Sequence, residues 1–251
     1  MSLIDETLRV ALSDIYYFKR NFILLTVTTL VTPLLYMFAF GYGVGNSVSE
    51  MEGVSYIAFI IPGVVAINTM TSSFNTISHK LMIQKKFYES FDEMLLCPVS
   101  KSALILGKTI LGIIKGMISG TILILLGYVM TSDLIISPQL FGMMLLSCFI
   151  FSLLGVAAGI TLPDLPWTDA FNSFVILPMT FLCGTMFSLS EVPQWAQWVA
   201  DIIWALPLTH TSTCIRAIAL GWDFPWVSFI VLVIYGIAFY VIAWLILNRN
   251  K

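Results

Sequence analysis

An all-α integral membrane protein with six transmembrane helices follows from three features of the 251-residue sequence. The first is composition: 59% of residues are hydrophobic and 10% are charged, against roughly 45–50% and about 25% in soluble domains. The second is clustering. Uninterrupted apolar runs occupy residues 22–42, 56–77, 110–130, 140–162, 171–187 and 226–247, each close to the ~20 residues that a helix needs to cross a ~30 Å hydrocarbon core. The third is charge. With six spans, all 12 Lys and Arg except Arg216 fall on one side, and the positive-inside rule makes that side cytoplasmic. The expectation is one membrane domain over residues 1–251, multi-pass in the cell (inner) membrane, with both termini cytoplasmic. No Pro/Gly/Ser-rich linker, low-complexity tract or repeat divides it.

Ahead of the first span, "LIDETLRVALSDIYYFKR" places Ile4, Leu8, Ala11, Leu12 and Ile15 at helical spacing, with Asp5, Glu6, Arg9 and Ser13 on other faces. This pattern predicts an interfacial helix over about residues 3–19, lying in the membrane plane. No cleavable signal peptide is expected, because Asp5, Glu6 and Asp14 precede the first span. Aromatic residues at or near several span ends (Phe22, Tyr42, Tyr56, Tyr128, Phe187, Trp226, Trp244) suit interfacial anchoring.

The second span carries Asn68, Thr69, Thr71, Ser72, Ser73, Asn75 and Thr76. Two readings stand open for this polar set. It supplies interhelical hydrogen bonds, or it lines a path, in which case Asn68, Ser72 and Asn75 are the pathway residues.

Between spans two and three lies "QKKFYESFDEMLLCPVSK", residues 84–101, unusually charged for this chain. From Ile83 onward, Phe87, Phe91, Met94 and Leu95 share one helical face, and Lys85, Lys86, Glu89, Asp92 and Glu93 lie mostly on others. Lys85 and Lys86 are within reach of Glu89. Pro98 ends this helix and Ser100 starts the next. Positive-inside charge explains the lysines alone. The aromatic stripe beside mixed charge points to a docking surface for another protein. In the third span, Lys115 is placed to snorkel toward the cytoplasmic interface.

The stretch 193–221, "PQWAQWVADIIWALPLTHTSTCIRAIALG", is apolar enough to suggest another span. Pro207 divides it into halves too short to cross, and Asp201 and Arg216 would each cost about 2.5–3.5 kcal/mol inside one. Two short re-entrant helices before the sixth span are expected instead, with non-spanning backbone buried in protein. Arg216 there either snorkels to headgroups or pairs with a carboxylate, Asp201 first, with Glu191 and Asp223 behind it.

The spans contain no Asp or Glu, the usual mark of ion-coupled transport. Two His, at positions 79 and 210, and four scattered Cys offer no metal-ligand spacing. HExxH, GxSxG and Walker A patterns are missing from the sequence, so no catalytic residues are assigned. A channel or secondary carrier remains as an ATPase-independent alternative.

The chain resembles the membrane subunits of type-2 ABC exporters, a permease family that includes exporters of drugs, lipo-oligosaccharides and polysaccharides. The similarity runs along almost the whole chain. It rests on Glu93-Met94-Leu95-Leu96-Cys97-Pro98-Val99-Ser100-Lys101 followed by Gly107-Lys108, on Pro62-Gly63, and on Leu177-Pro178 through Cys183-Gly184 to Val192-Pro193. The hairpin residues Leu206-Pro207-Leu208-Thr209 and Arg216 extend it. Cys97, Lys101 and Ala205 depart from the residues common in the family, which blocks assignment to a subfamily. The resemblance implies that residues 84–101 form a coupling helix, with Phe87, Phe91, Glu93, Met94 and Pro98 seated in a cleft of a separate ATP-binding-cassette subunit. ATP and Mg would bind that partner, and this chain would need no cofactor of its own. It further implies a homodimer with substrate moving between the two copies, Asp201, Pro207 and Arg216 in the outer cap, and no role for nucleic acid.

Overall fold

The computed structural model describes residues 2–44, 50–131, 133–184 and 197–249. Helix α1 (Leu3–Arg20) leads into α2 (Phe22–Phe38), which continues as a π-helical segment, Ala39–Val44. A minimal antiparallel hairpin, Glu50–Met51 with Val54–Ser55, precedes α3 (Tyr56–Lys86). Then come α4 (Ser90–Leu96), α5 (Lys101–Met130) and α6 (Pro138–Thr161). The helices α7 (Leu165–Phe171) and α8 (Leu177–Leu182) are joined by a π-helical segment, Asn172–Ile176. Last are α9 (Gln197–Trp204), α10 (Pro207–Leu220) and α11 (Trp226–Arg249).

Local sequence sets the helix starts. The hydroxyls of Ser55, Ser100 and Ser137 each accept from the backbone N–H three residues on, at 3.4, 3.3 and 3.3 Å, satisfying a donor that the helix leaves orphaned. Pro138 and Pro207 open α6 and α10, where a missing N–H costs nothing. Gly221 ends α10 with φ 71°, a left-handed position that suits glycine.

Among the described residues, five helices are long and apolar enough to cross a membrane: Phe22–Gly41, α3, α5, α6 and α11. The chain is thus multi-pass. The remaining expected span, 171–187, falls in a helical run from residue 165 to 182, and its last three residues lie outside those described. The start of the expected hairpin at 193 and Glu191 lie outside them as well.

Helix α3 is the hub. Its buried residues run from Tyr56 to Met82, and it packs against α5, α6 and α10. Gly155 of α6 shows how close the approach is: a Cβ there would stand 2.9 Å from the Phe74 carbonyl oxygen. Small residues let membrane helices close on one another in this way.

The structure corrects several expectations. Helices α3 and α5 each extend about two and a half turns beyond the apolar runs. The single helix expected from Ile83 is broken. Residues 87–89 interrupt it, and Glu89 adopts a left-handed conformation (φ 53°) that starts α4. Lys85 and Lys86 do not reach back to Glu89: Lys85 donates to the Ile160 carbonyl (2.6 Å) and Lys86 pairs with Asp164 (3.1 Å), tying α3 to the end of α6. Of the apolar stripe of α1, Ile4, Leu8 and Leu12 are exposed, as on a face turned to lipid, while Ala11 is buried with Asp14 and Phe18 against the bundle.

Candidate functional site

One end of the bundle collects the basic residues, helix α4 and both sides of α1. There α1 crosses α5 at Gly107, where a Cβ would meet Val10 Cβ at 2.7 Å and the Thr7 carbonyl at 2.9 Å. The next residue, Lys108, is fully buried. Its Nζ donates to Asp14 Oδ2 (3.1 Å) and to Gln84 Oε1 (2.7 Å). Lys80 reaches Asp14 Oδ1 (3.0 Å), and Gln84 Nε2 donates to the same oxygen (3.1 Å). Asp14 thus joins α1, α3 and α5 in one satisfied polar cluster. Glu6, a few turns away on α1, accepts from the Ser100 N–H (3.0 Å) at the start of α5. That bond holds the Glu6 carboxyl below its ordinary value. The Gly107-Lys108 pair therefore has a physical role: glycine admits α1, and lysine bonds to it.

Helix α4 hangs from this cluster. Phe91 is 1% exposed and packs with Phe18, Leu81, Leu104 and Ile105. It is an anchor into its own chain and is unavailable to a partner, which corrects its expected place on the docking face. Met94 is half-buried and lines a cavity of about 380 Å³ with Glu6, Arg9 and Pro98. Outward face Phe87 (65% exposed), Tyr88 (71%), Leu95 and Leu96 (88%), with the exposed carboxylates Glu89, Asp92 and Glu93 among them. Pro98 is exposed beyond Cys97, whose extended backbone is what a residue preceding proline prefers. Tyr88, Leu95 and Leu96 were legible as apolar residues, and only the break at Glu89 turns Tyr88 and Leu96 into the surface.

The polar set of α3 divides between the two open readings. Asn68 is fully buried, donating to Ser119 Oγ (2.8 Å) and accepting from Ser72 Oγ (3.2 Å). Thr69 bonds Ser147 (3.0 Å) and Ser73 donates to the Gly112 carbonyl (3.1 Å). The bonds to Ser119, Ser147 and the Gly112 carbonyl are interhelical clamps. Ser72 and Asn75 instead line a groove of about 300 Å³ bounded by α2, α3 and the 172–180 stretch, with Thr28, Thr32, Tyr36, Thr71 and Lys115. Asn75 and Lys115 also line a larger cavity of about 690 Å³ that reaches Asp14, His79 and Lys80 at the basic end.

At the other end, α10 inserts between α3, α6 and α11. The Tyr235 hydroxyl donates to the Ala205 carbonyl in the α9–α10 turn, and Thr209 Oγ1 donates to the Ile203 carbonyl (2.6 Å) across Pro207. Arg216 lies over the Phe59 ring at 3.8 Å from its centroid, donating to the carbonyls of Phe59 (3.3 Å) and Gly184 (3.2 Å). Glu52 contributes a favourable charge, and Glu52 and Asp223 share a cavity of about 220 Å³ with Arg216. Asp201 stands exposed on α9 and forms no ion pair with Arg216. Of the two readings offered for Arg216, the pair with Asp201 does not form; the guanidinium stacks on Phe59 of α3 and bonds to the Phe59 and Gly184 carbonyls.

The ABC-2 type transporter family model matches residues 11–220. The chain is 27% identical over 241 residues to the inner membrane transport permease YadH of Escherichia coli (strain K12), covering 95% of this chain and 93% of the relative. It is 31% identical over 197 residues to Nodulation protein J of Rhizobium meliloti (strain 1021), and 30% identical over 196 residues to Nodulation protein J of Bradyrhizobium diazoefficiens. Each alignment covers 76% of this chain and 72% of the relative. A multi-pass bundle matched over most of its length in this way belongs to the ABC-2 type transporter family, as a membrane transport subunit.

Proposed function

We propose that this chain is the transmembrane half of an ATP-driven exporter in the cell (inner) membrane. It pairs with a separate ATP-binding-cassette subunit that binds ATP and Mg, and works with a second copy of itself. The substrate is lipophilic or amphiphilic: a drug, a lipid or a lipid-linked glycan. The basic end faces the cytoplasm, six spans cross the bilayer, and α9 and α10 re-enter from the outside. The observation that carries the reading is α4. Phe91 buries α4 in a cluster that includes Phe18, Leu81 and Leu104, while Phe87, Tyr88, Leu95 and Leu96 stand outward among three carboxylates. An apolar patch of this kind, rimmed by one sign of charge, suits a hydrophobic cleft with cationic edges. Movement of that cleft would pass through Phe91 and the Asp14 cluster into the spans.

The double substitution Phe87→Asp/Leu96→Asp should cut co-purification with the ATP-binding-cassette protein of the neighbouring reading frame by about tenfold or more. Membrane insertion should be unchanged, because neither side chain is buried in the chain. Unaltered co-purification and unaltered ATP hydrolysis would remove α4 as the docking element.

Orientation is checked with the native thiols. Cys97 is exposed and Cys148, Cys183 and Cys214 are buried. A membrane-impermeant maleimide should label Cys97 only after the cells are opened. In a Cys97→Ser background, Asp133→Cys at the opposite end should be labelled on intact cells. The reverse pattern inverts the topology.

A further inference from the structure

The groove between α2, α3 and α5 contains a cation that the coupling machinery does not use. Lys115 sits about 21 Å along α5 from Lys101 at 1.5 Å per residue. It is half-buried and lines both the 300 Å³ groove and the 690 Å³ cavity. Among the described residues no carboxylate pairs with it. Among the described residues the groove has no acidic lining residue. Asp14, the one acid among the described residues that line the larger cavity, is already held by Lys80 and Lys108. The neighbouring hydroxyls are committed as donors to their own helices: Thr28 to the Leu24 carbonyl (2.8 Å), Thr71 to Ile67 (2.9 Å) and Thr76 to Ser72 (2.5 Å). They offer Lys115 dipoles but no compensating charge. Asn75, at the junction of the two cavities, has a buried side-chain oxygen with no hydrogen-bond partner.

A half-buried ammonium facing no counter-ion among the described residues carries a desolvation cost that an incoming anion would offset. Its surroundings are the walls of a groove formed by α2, α3 and the 172–180 stretch. We infer that Lys115, with Asn75 beside it, is the binding point for the phosphate or carboxylate headgroup of an anionic amphiphile. The amphiphile enters through the larger cavity from the basic end, and its chain lies along the apolar wall of Val64, Ile67, Ile176 and Leu177. This rests on the transport reading above and names the class of substrate that it would carry.

The test uses the full chain in phosphatidylcholine nanodiscs with radiolabelled dodecyl phosphate as probe and dodecyl glucoside as neutral comparator, each corrected for uptake by empty discs. The chain should bind dodecyl phosphate at least about tenfold more tightly than the glucoside. Lys115→Gln should lose about tenfold in affinity for the phosphate, and Lys115→Arg should retain most of it. Gel filtration and thermal unfolding of both variants establish that they are folded, and the arginine variant keeps the test valid if glutamine destabilises the chain. Equal binding of the two probes, or phosphate binding indifferent to Lys115→Gln in a folded protein, overturns the inference. Displacement of the probe by millimolar inorganic phosphate also overturns it, by assigning the site to a soluble anion. Failure of the export reading looks different: Lys115-dependent binding persists, while no ATP-binding-cassette partner hydrolyses ATP in response to the probe.

Discussion

Asp14→Ala lowers stability by about 3–5 kcal/mol, the range for removing one partner of a buried ion pair. Two lysines depend on this carboxylate. Lys108, 2% exposed, is left with Gln84 alone, and Lys80 keeps the backbone carbonyl of residue 14 (3.5 Å) and its position over the Tyr17 ring at 4.4 Å. Gln84 loses the acceptor of its Nε2 as well. Asp14→Asn should fall between wild type and alanine, since an amide keeps some hydrogen bonds and forfeits the charge. The pairing of Asp14→Leu with Lys108→Met should recover most of the loss, because an apolar replacement for a buried ion pair is often neutral or stabilising. Thermal unfolding in nanodiscs measures all three. A loss below about 1 kcal/mol for Asp14→Ala is what an exposed pair would give, and it would mean that water reaches the cluster.

The same variant separates structure from transmission. Asp14 does not touch the outward surface of α4, so the folded fraction of Asp14→Asn should bind the ATPase normally. If α1 and the spans move with α4 through this cluster, ATP hydrolysis by the assembled complex should become uncoupled from transport. Retained coupling would confine Asp14 to stability.

Most of the helices could be read from apolar runs because hydrocarbon imposes a single demand on every crossing segment. That demand says nothing about which side of a helix meets protein and which meets lipid. In α1 the stripe of Ile4, Leu8 and Leu12 was visible, but these residues lie outward, and the face buried against α5 includes Thr7, Val10, Ala11, Asp14 and Phe18. An acid in the middle of a buried face reads as polar until its lysine is known, and Lys108 lies 94 positions away. The motif Gly107-Lys108 pointed to the place without giving the reason. In α4 the stripe Phe87-Phe91-Met94-Leu95 assumed one continuous helix. Nothing in "FYE" announces a left-handed residue, since glutamate is an ordinary helix former, so the rotation that buries Phe91 and exposes Leu96 was not legible. Asn68 and Asn75 carry the same side chain on one helix. Only packing reveals that the first is a clamp to Ser119 and the second opens on a groove.

Arg216→Ala is expected to destabilise the protein by about 2–4 kcal/mol, with loss of the contacts to Phe59 of α3 and the Gly184 carbonyl and none at Asp201 of α9. A desolvated guanidinium over a phenyl ring contributes about 2 kcal/mol, and hydrogen bonds from a charged donor about 1.5–3 kcal/mol each. These contributions overlap, because the Phe59 carbonyl and the Phe59 ring are engaged by the same planar group. Arg216→Lys should recover less than half of the loss. A point charge with a flexible stem cannot stack and also bridge the Phe59 and Gly184 carbonyls as a planar fork does. Removal of the charge also leaves Glu52 without its favourable influence, so Arg216→Ala should be worse than Phe59→Leu, which removes the ring and leaves the backbone acceptor. Two double-mutant cycles locate the interaction. Arg216 with Phe59→Leu should show coupling of about 1–2 kcal/mol, and Arg216 with Asp201→Ala should be additive within about 0.3–0.5 kcal/mol. Coupling to Asp201 with none to Phe59 would return the arginine to an ion pair within the hairpin. The difference matters for transport: a hairpin pinned to the start of α3 moves when α3 moves, and α3 is the helix that reaches α4 at its other end.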